Sequence, residues 1–270
     1  MHIISVVIDL VLAAYITWEV IRFMPRYLRL KKDVANGDAR ARTSIYYEAL
    51  VFEWVTALLA LAALGFDLTK LNPKFLSLGD SRLIQSLQAS GGFNQGLIGG
   101  ILGGVAIGTV SLVIARLISK RRGFSPPPNA VAIFLSRLMP DFNALMPVTT
   151  RERLLWAAVA VSAGICEEIV FRGWLLSTLH SQLHLSGTTL IAMAAVIFGL
   201  AHSYQRLAGV ILTAFLGAVF CVLFVMTGSL LVPIALHILV DLRFAILPAP
   251  RAGTDTNPRA RENAPVTVAG

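Results

Sequence analysis

Seven stretches of this chain are long enough and apolar enough to cross a bilayer as helices. A crossing takes roughly 20 mostly apolar residues. The stretches fall at about 3–23, 45–66, 96–118, 154–179, 188–203, 207–227 and 229–247. Backbone groups in hydrocarbon must find partners inside their own segment, so blocks of this length have to be helical. Composition agrees. Of the 270 residues, 56% are hydrophobic and 14% are charged, whereas soluble domains carry about 25% charged residues. The mean hydropathy is +0.73. The expected fold class is therefore all-α: a polytopic transmembrane bundle of seven spans, or eight if a re-entrant segment is added.

Basic residues set the expected orientation. Arg22, Arg26, Arg29, Lys31 and Lys32 end the first block, and Arg40 and Arg42 precede the second. Lys120, Arg121 and Arg122 follow the third, Arg151 and Arg153 precede the fourth, and Arg206 separates the fifth from the sixth. Arg251, Arg259 and Arg261 follow the seventh. All of these fall on one side of a seven-span topology, which predicts the N-terminus outside and the C-terminus in the cytoplasm. The net charge of +8 is thus a topology signal, and no nucleic-acid partner is expected. The expected location is a bacterial cytoplasmic membrane, with lipid as the first partner. The first block has acidic residues and ends in a basic cluster, so it reads as a retained span, not a cleaved leader.

Three regions follow. Residues 1–150 form an N-terminal membrane region with three spans, an outer loop at 67–95 and a Pro-rich cytoplasmic loop. An amphipathic piece near 131–139 in that loop is expected at the interface. Residues 151–247 form a core of four spans, and residues 248–270 a disordered tail. Gly99, Gly100, Gly103, Gly104 and Gly108 give the third span a small-residue face suited to close helix packing. Cys166 and Cys221 lie singly in apolar blocks and suggest neither a disulfide framework nor a Cys-x-x-Cys site.

Ionisable residues inside spans are costly and point to function. The fourth span holds Glu167 and Glu168, with Arg172 four residues after Glu168. That spacing puts Glu168 and Arg172 on one face, where they can neutralise one another. Glu167 points about 100° away and has no local cation, so it is available for chemistry. The fifth span holds Phe198 and His202 at the same spacing, and the seventh holds His237 and Asp241. Brought together, the three helices offer carboxylates and two imidazoles. Such a set activates water as a general base or ligates a divalent metal. A single histidine in an apolar helix is more often an interhelical hydrogen bonder; the combination outweighs that reading. Asp9, Glu19, Glu48 and Glu53 lie closer to span ends, where snorkelling or pairing with a nearby arginine is expected. His180 and His184 read as a solvated interface, and Cys166 as an inert buried thiol.

Glu167-Glu168-x-x-x-Arg172, Phe198-x-x-x-His202 and His237-x-x-x-Asp241 together resemble the signature of the CPBP family, also called the Abi family. Its members are CAAX-processing and bacteriocin-processing intramembrane proteases, related to the Ras-converting endopeptidase. The resemblance covers about 151–247. It implies an intramembrane endopeptidase in which Glu167 and His202 activate the attacking water. His237 and Asp241 would stabilise the oxyanion, while Glu168, Arg172 and Phe198 organise the site. The implied partner is a peptide or protein substrate at the membrane, such as a prenylated CAAX protein or a leader peptide. The family is commonly described as metalloproteases, and a metal-free glutamate mechanism is the alternative. If a divalent metal such as zinc is used, its expected ligands are Glu167, His202 and His237. The sequence contains no His-Glu-x-x-His helix.

Two other functions are compatible with these residues: an ion-coupled transporter using the cluster as a proton relay, and a non-catalytic immunity or scaffold protein. Depth poses a problem for any site. Glu167 and His237 each lie about 20 Å from the cytoplasmic side, while His202, at the end of the fifth span, looks shallower. Either the turn between the fifth and sixth spans lies inside the protein, or the fourth span projects beyond the bilayer.

Overall fold

The computed structural model describes residues 2–65 and 142–246. The outer loop at 67–95, the expected third span with its glycine face, most of the Pro-rich loop and the C-terminal tail lie outside the described residues. All regular structure among the described residues is helical: α1 (His2–Ala35), α2 (Ala41–Ala63), α3 (Thr150–Glu168), a π-helical segment (Ile169–Leu175), α4 (Leu176–Leu183), α5 (Gly187–Ala201), α6 (Arg206–Thr227) and α7 (Leu231–Ile246). Short 3-10 turns occur at Phe142–Leu145 and Ser203–Gln205. Among the described residues, three helical stretches are long and apolar enough to cross a membrane: Ala41–Ala63, Thr150–Leu183 and Ser203–Thr227. The outer faces suit lipid, since Leu10, Leu58, Leu207 and Leu239 are each more than half exposed. The chain is an integral membrane protein.

A defined start launches α3. Thr149 caps it by accepting from the Glu152 backbone N–H at 3.2 Å, and the Glu152 carboxylate accepts from the backbone N–H groups of Thr149 and Val148 at 2.9 and 2.8 Å. This reciprocal capping box satisfies donors that the first turn leaves open. The same end is clamped to α2. Arg42 donates to the Ala144 carbonyl at 2.9 Å and stands 3.6 Å from Glu152, while the Tyr46 hydroxyl donates to the Leu145 carbonyl.

From there α3 packs lengthwise on α7. The Trp156 indole donates to the Asp241 carbonyl at 3.0 Å, and Arg153 to the Ala245 carbonyl at 3.2 Å. Gly164 makes the close approach possible, because a Cβ there would stand 2.4 Å from Ile238 Cγ1 and 3.0 Å from the Ile238 backbone nitrogen. Gly199 does the same between α5 and α6, where a Cβ would meet the Val210 carbonyl and the Ala214 Cβ at 2.7 Å. Small residues thus set the helix spacing, as expected where lipid supplies no hydrophobic drive between helices.

Two apolar clusters bracket the site. One joins Leu12, Ala60, Phe171, Leu176, Phe198 and Phe224; the other joins Tyr27, Tyr46, Leu145, Trp156 and Ala160. α5 has fifteen residues and so rises about 22 Å, short of a bilayer core of about 30 Å. The turn that follows it is inside the assembly: the Tyr204 ring lies 4.9 Å from Phe23 and 5.8 Å from Tyr27 of α1. His202, at the end of this short helix, stands beside Glu167, with its Nε2 3.8 Å from Glu167 Oε2.

Candidate active site

The site forms where α3 gives way to the π-helical segment. Glu167 and Glu168 are the last residues of the α-helical stretch but one and the last, and Arg172 lies within the widened turns. Such π segments recur at functional sites. Widening does not break the local pair, for Arg172 Nη1 donates to Glu168 Oε1 at 2.9 Å. Both side chains are completely enclosed. Arg172 also donates through Nη2 to the Gly217 carbonyl at 3.1 Å, and its guanidinium lies over the rings of Phe198 and Phe220 at 4.5 and 5.3 Å. A buried arginine thus finds a carboxylate, a carbonyl and two aromatic faces, which stabilise the charge, while its Nε has no hydrogen-bond partner among the described residues.

Glu168 Oε1 has a second partner, His237 Nδ1 on α7, at 2.8 Å. A carboxylate held by Arg172 is an acceptor, so Nδ1 carries the proton and donates. His202 is fixed in the same sense: its Nδ1 donates to the Phe198 carbonyl at 2.9 Å. Both rings consequently present Nε2 to the site. Each Nε2 lies 3.8 Å from the same atom, Glu167 Oε2. That oxygen is buried and has no hydrogen-bond partner among the described residues. Asp241 Oδ2 stands 3.6 Å from His237 Nε2. Phe220 stacks on the His237 ring at 5.2 Å and Phe198 lies 4.8 Å from the His202 ring, so both imidazoles are held against aromatics.

The structure thus gathers Glu167, His202, His237 and Asp241 into one cluster, backed by Glu168, Arg172 and Phe198. Separations of 3.6 to 3.8 Å exceed direct hydrogen bonds. They leave a slot between the groups, of the kind that a water or a cation bridges. The donor chemistry fits a divalent cation, with two imidazole nitrogens and a carboxylate oxygen converging and each imidazole oriented through its other nitrogen. Among the described residues no three His, Cys, Asp or Glu side chains stand close enough to hold a metal ion as they are placed.

A cleft opens beside the slot, enclosing about 420 Å³ of empty space counted out to its mouth. Glu167 and His202 line it with Glu53 and Thr56 of α2, and Ile16 and Phe52 supply apolar wall. Residues 149–243 match the family model for type II CAAX prenyl endopeptidase, Rce1-like. Over this stretch the chain is similar to an Rce1-like domain. The stretch holds every motif residue of the cluster, while α1 and α2, which wall the cleft, lie outside it. Comparison with curated proteins and with solved structures found no match.

The acidic residues outside the Rce1-like domain divide. Glu19 pairs with Arg22 at 2.8 Å and Glu48 with Arg26 at 2.9 Å, the partners expected of residues near span ends. Among the described residues Asp9 pairs with no arginine and instead accepts from the Trp174 indole at 2.6 Å. Glu53 departs furthest from the sequence reading. It lies near the middle of α2, 7% exposed, and faces the cleft. His180 hydrogen-bonds the Leu185 carbonyl through Nδ1, and His184 ends α4 with a left-handed backbone. Cys166 is buried against Ser162. Besides Glu53, sequence reasoning missed Phe220 and the Gly217 carbonyl; an aromatic and a glycine in an apolar span carry no signal of their own.

Proposed function

We propose that the protein is an intramembrane endopeptidase that hydrolyses a peptide bond of a membrane-associated substrate, a prenylated CAAX protein or a leader peptide. The observation that carries this reading is the slot around Glu167 Oε2, with an imidazole Nε2 on each side at 3.8 Å and no partner on the oxygen among the described residues. A water there would give a proton to Glu167, with His202 orienting it, and attack the scissile carbonyl. The carbonyl oxygen becomes an oxyanion, and His237, with Nδ1 held by Glu168, donates to it through a protonated Nε2 that Asp241 supports. Glu167 then passes its proton to the leaving amine, so the step balances without another reagent. Glu168 and Arg172 hold the geometry and leave the chemistry to their neighbours.

A divalent cation such as zinc, if used, would be held by Glu167, His202 and His237 and would polarise the attacking water. The same residues serve the metal-free route. We place the protein in a bacterial cytoplasmic membrane with its N-terminus outside and its C-terminus in the cytoplasm, on the distribution of basic residues.

The test is cleavage of a fluorogenic peptide library that includes a prenylated CAAX peptide, by wild type and Glu167→Gln, with and without a chelator. Wild type is expected to cleave, and Glu167→Gln to lose about 10²- to 10⁴-fold in kcat/KM. Equal cleavage by the two would overturn the assignment. Chelator sensitivity, reversed by added zinc, would decide for the metal.

A further inference from the structure

Resting on the endopeptidase reading, we infer that Glu53 is a substrate-contact residue: its carboxyl accepts a hydrogen bond from a backbone N–H of the peptide bound in the cleft. Glu53 lies on α2, outside the Rce1-like domain, yet lines the same cleft as Glu167 and His202. It is 7% exposed, and its Oε2 has no hydrogen-bond partner among the described residues.

The other polar groups nearby are already engaged or of the wrong kind. The Thr56 hydroxyl gives its proton to the Phe52 and Glu53 carbonyls, both at 2.9 Å. Ser162 hydrogen-bonds the Glu53 carboxyl and also contacts Cys166, which leaves Oε2 as the oxygen without a partner among the described residues. The ionisable groups whose charge Glu53 feels across the site are two carboxylates, Glu167 and Asp241, and the His237 imidazole. The other α2 acid, Glu48, has Arg26 as its cation. A buried acceptor with no donor costs stability, so its retention calls for a donor that arrives with the ligand.

An extended peptide supplies that donor. Its N–H groups lose water on entering an apolar cleft and require acceptors. The carboxyl of Glu53 lines the cleft together with Glu167 and His202, where it can hold the backbone next to the scissile bond. Specificity follows: a peptide whose N–H at that position is methylated offers no donor and meets an unsatisfied carboxyl instead.

The experiment takes a peptide that wild type cleaves and its single N-methyl analogues, and compares wild type, Glu53→Gln and Glu53→Leu for kcat, KM and thermal stability in detergent. Glu53→Leu should raise KM at least tenfold with kcat within threefold, because the contact is equal in ground and transition states. Glu53→Gln, which keeps an acceptor oxygen, should stay within threefold in both. Wild type should lose at least tenfold for one N-methyl position, and Glu53→Leu should show no loss there. Neither variant should melt below wild type. Wild-type KM in Glu53→Leu, or an N-methyl penalty that survives in it, overturns the inference while leaving the protease intact. Lowered melting in both variants overturns it in favour of a role in folding. A well-folded wild type that cleaves no peptide overturns the endopeptidase reading, and this inference falls with it.

Discussion

The layer around Glu168 and the cleft around Glu167 differ in how closely they hold two adjacent carboxylates. Glu168 has Arg172 and His237 on Oε1, and Arg172 adds a carbonyl and two rings, while Glu168 Oε2 and Arg172 Nε have no hydrogen-bond partner among the described residues. Glu167 has two imidazoles at a distance and an oxygen without a partner among the described residues. Low dielectric strengthens satisfied charges and penalises unsatisfied ones equally sharply. The contrast teaches that the fold ties Glu168 through direct hydrogen bonds and leaves room beside Glu167, as the proposed function requires.

The comparison can be broken most forcefully at Arg172. Arg172→Met leaves Glu168 buried beside His237 without its cation, and is expected to destabilise by about 3–5 kcal/mol. Loss of folded yield in detergent would show it; near-normal thermal stability would mean the paired layer is dispensable. Gly164→Ala tests the scaffold that brings His237 to Glu167. Its new Cβ would press on Ile238 of α7 at 2.4 Å, for a cost of about 1–3 kcal/mol and a fall in kcat larger than any change in KM.

Further from the chemistry, Thr149→Ala removes the α3 cap and should cost about 0.5–2 kcal/mol with kcat/KM nearly unchanged, read by thermal melting beside turnover. The smallest effect sharpens the contrast. Glu167→Gln, for all its expected loss of activity, should move stability by no more than about 0.5 kcal/mol in the unfavourable direction, since no partner is lost. A large fall in melting temperature would put Glu167 in the supporting layer with Glu168.

Much of the cluster was legible in the residues because its parts are intrahelical. Glu168 with Arg172, Phe198 with His202 and His237 with Asp241 share faces by the helical period alone, and the expense of polar groups in lipid says that such faces meet. Glu53 was misread because its distance along α2 says nothing of which neighbour it turns toward. Snorkelling to the nearest arginine described Glu19 and Glu48 correctly and failed for the one acid that α2 turns inward.

The sequence by itself determined that this chain lives in lipid as helices, which residues could not be there idly, and how they pair within a turn. Those properties follow from hydration cost and from the fixed rise and twist of one helix. Only the tertiary structure decided that Glu168 is shared between Arg172 and His237, that His202 stands beside Glu167, and that Glu53 lines the same cleft. These depend on the rotation and spacing of one helix against another. That spacing is set by close contacts such as Gly164 on Ile238, which no pattern along a single helix contains.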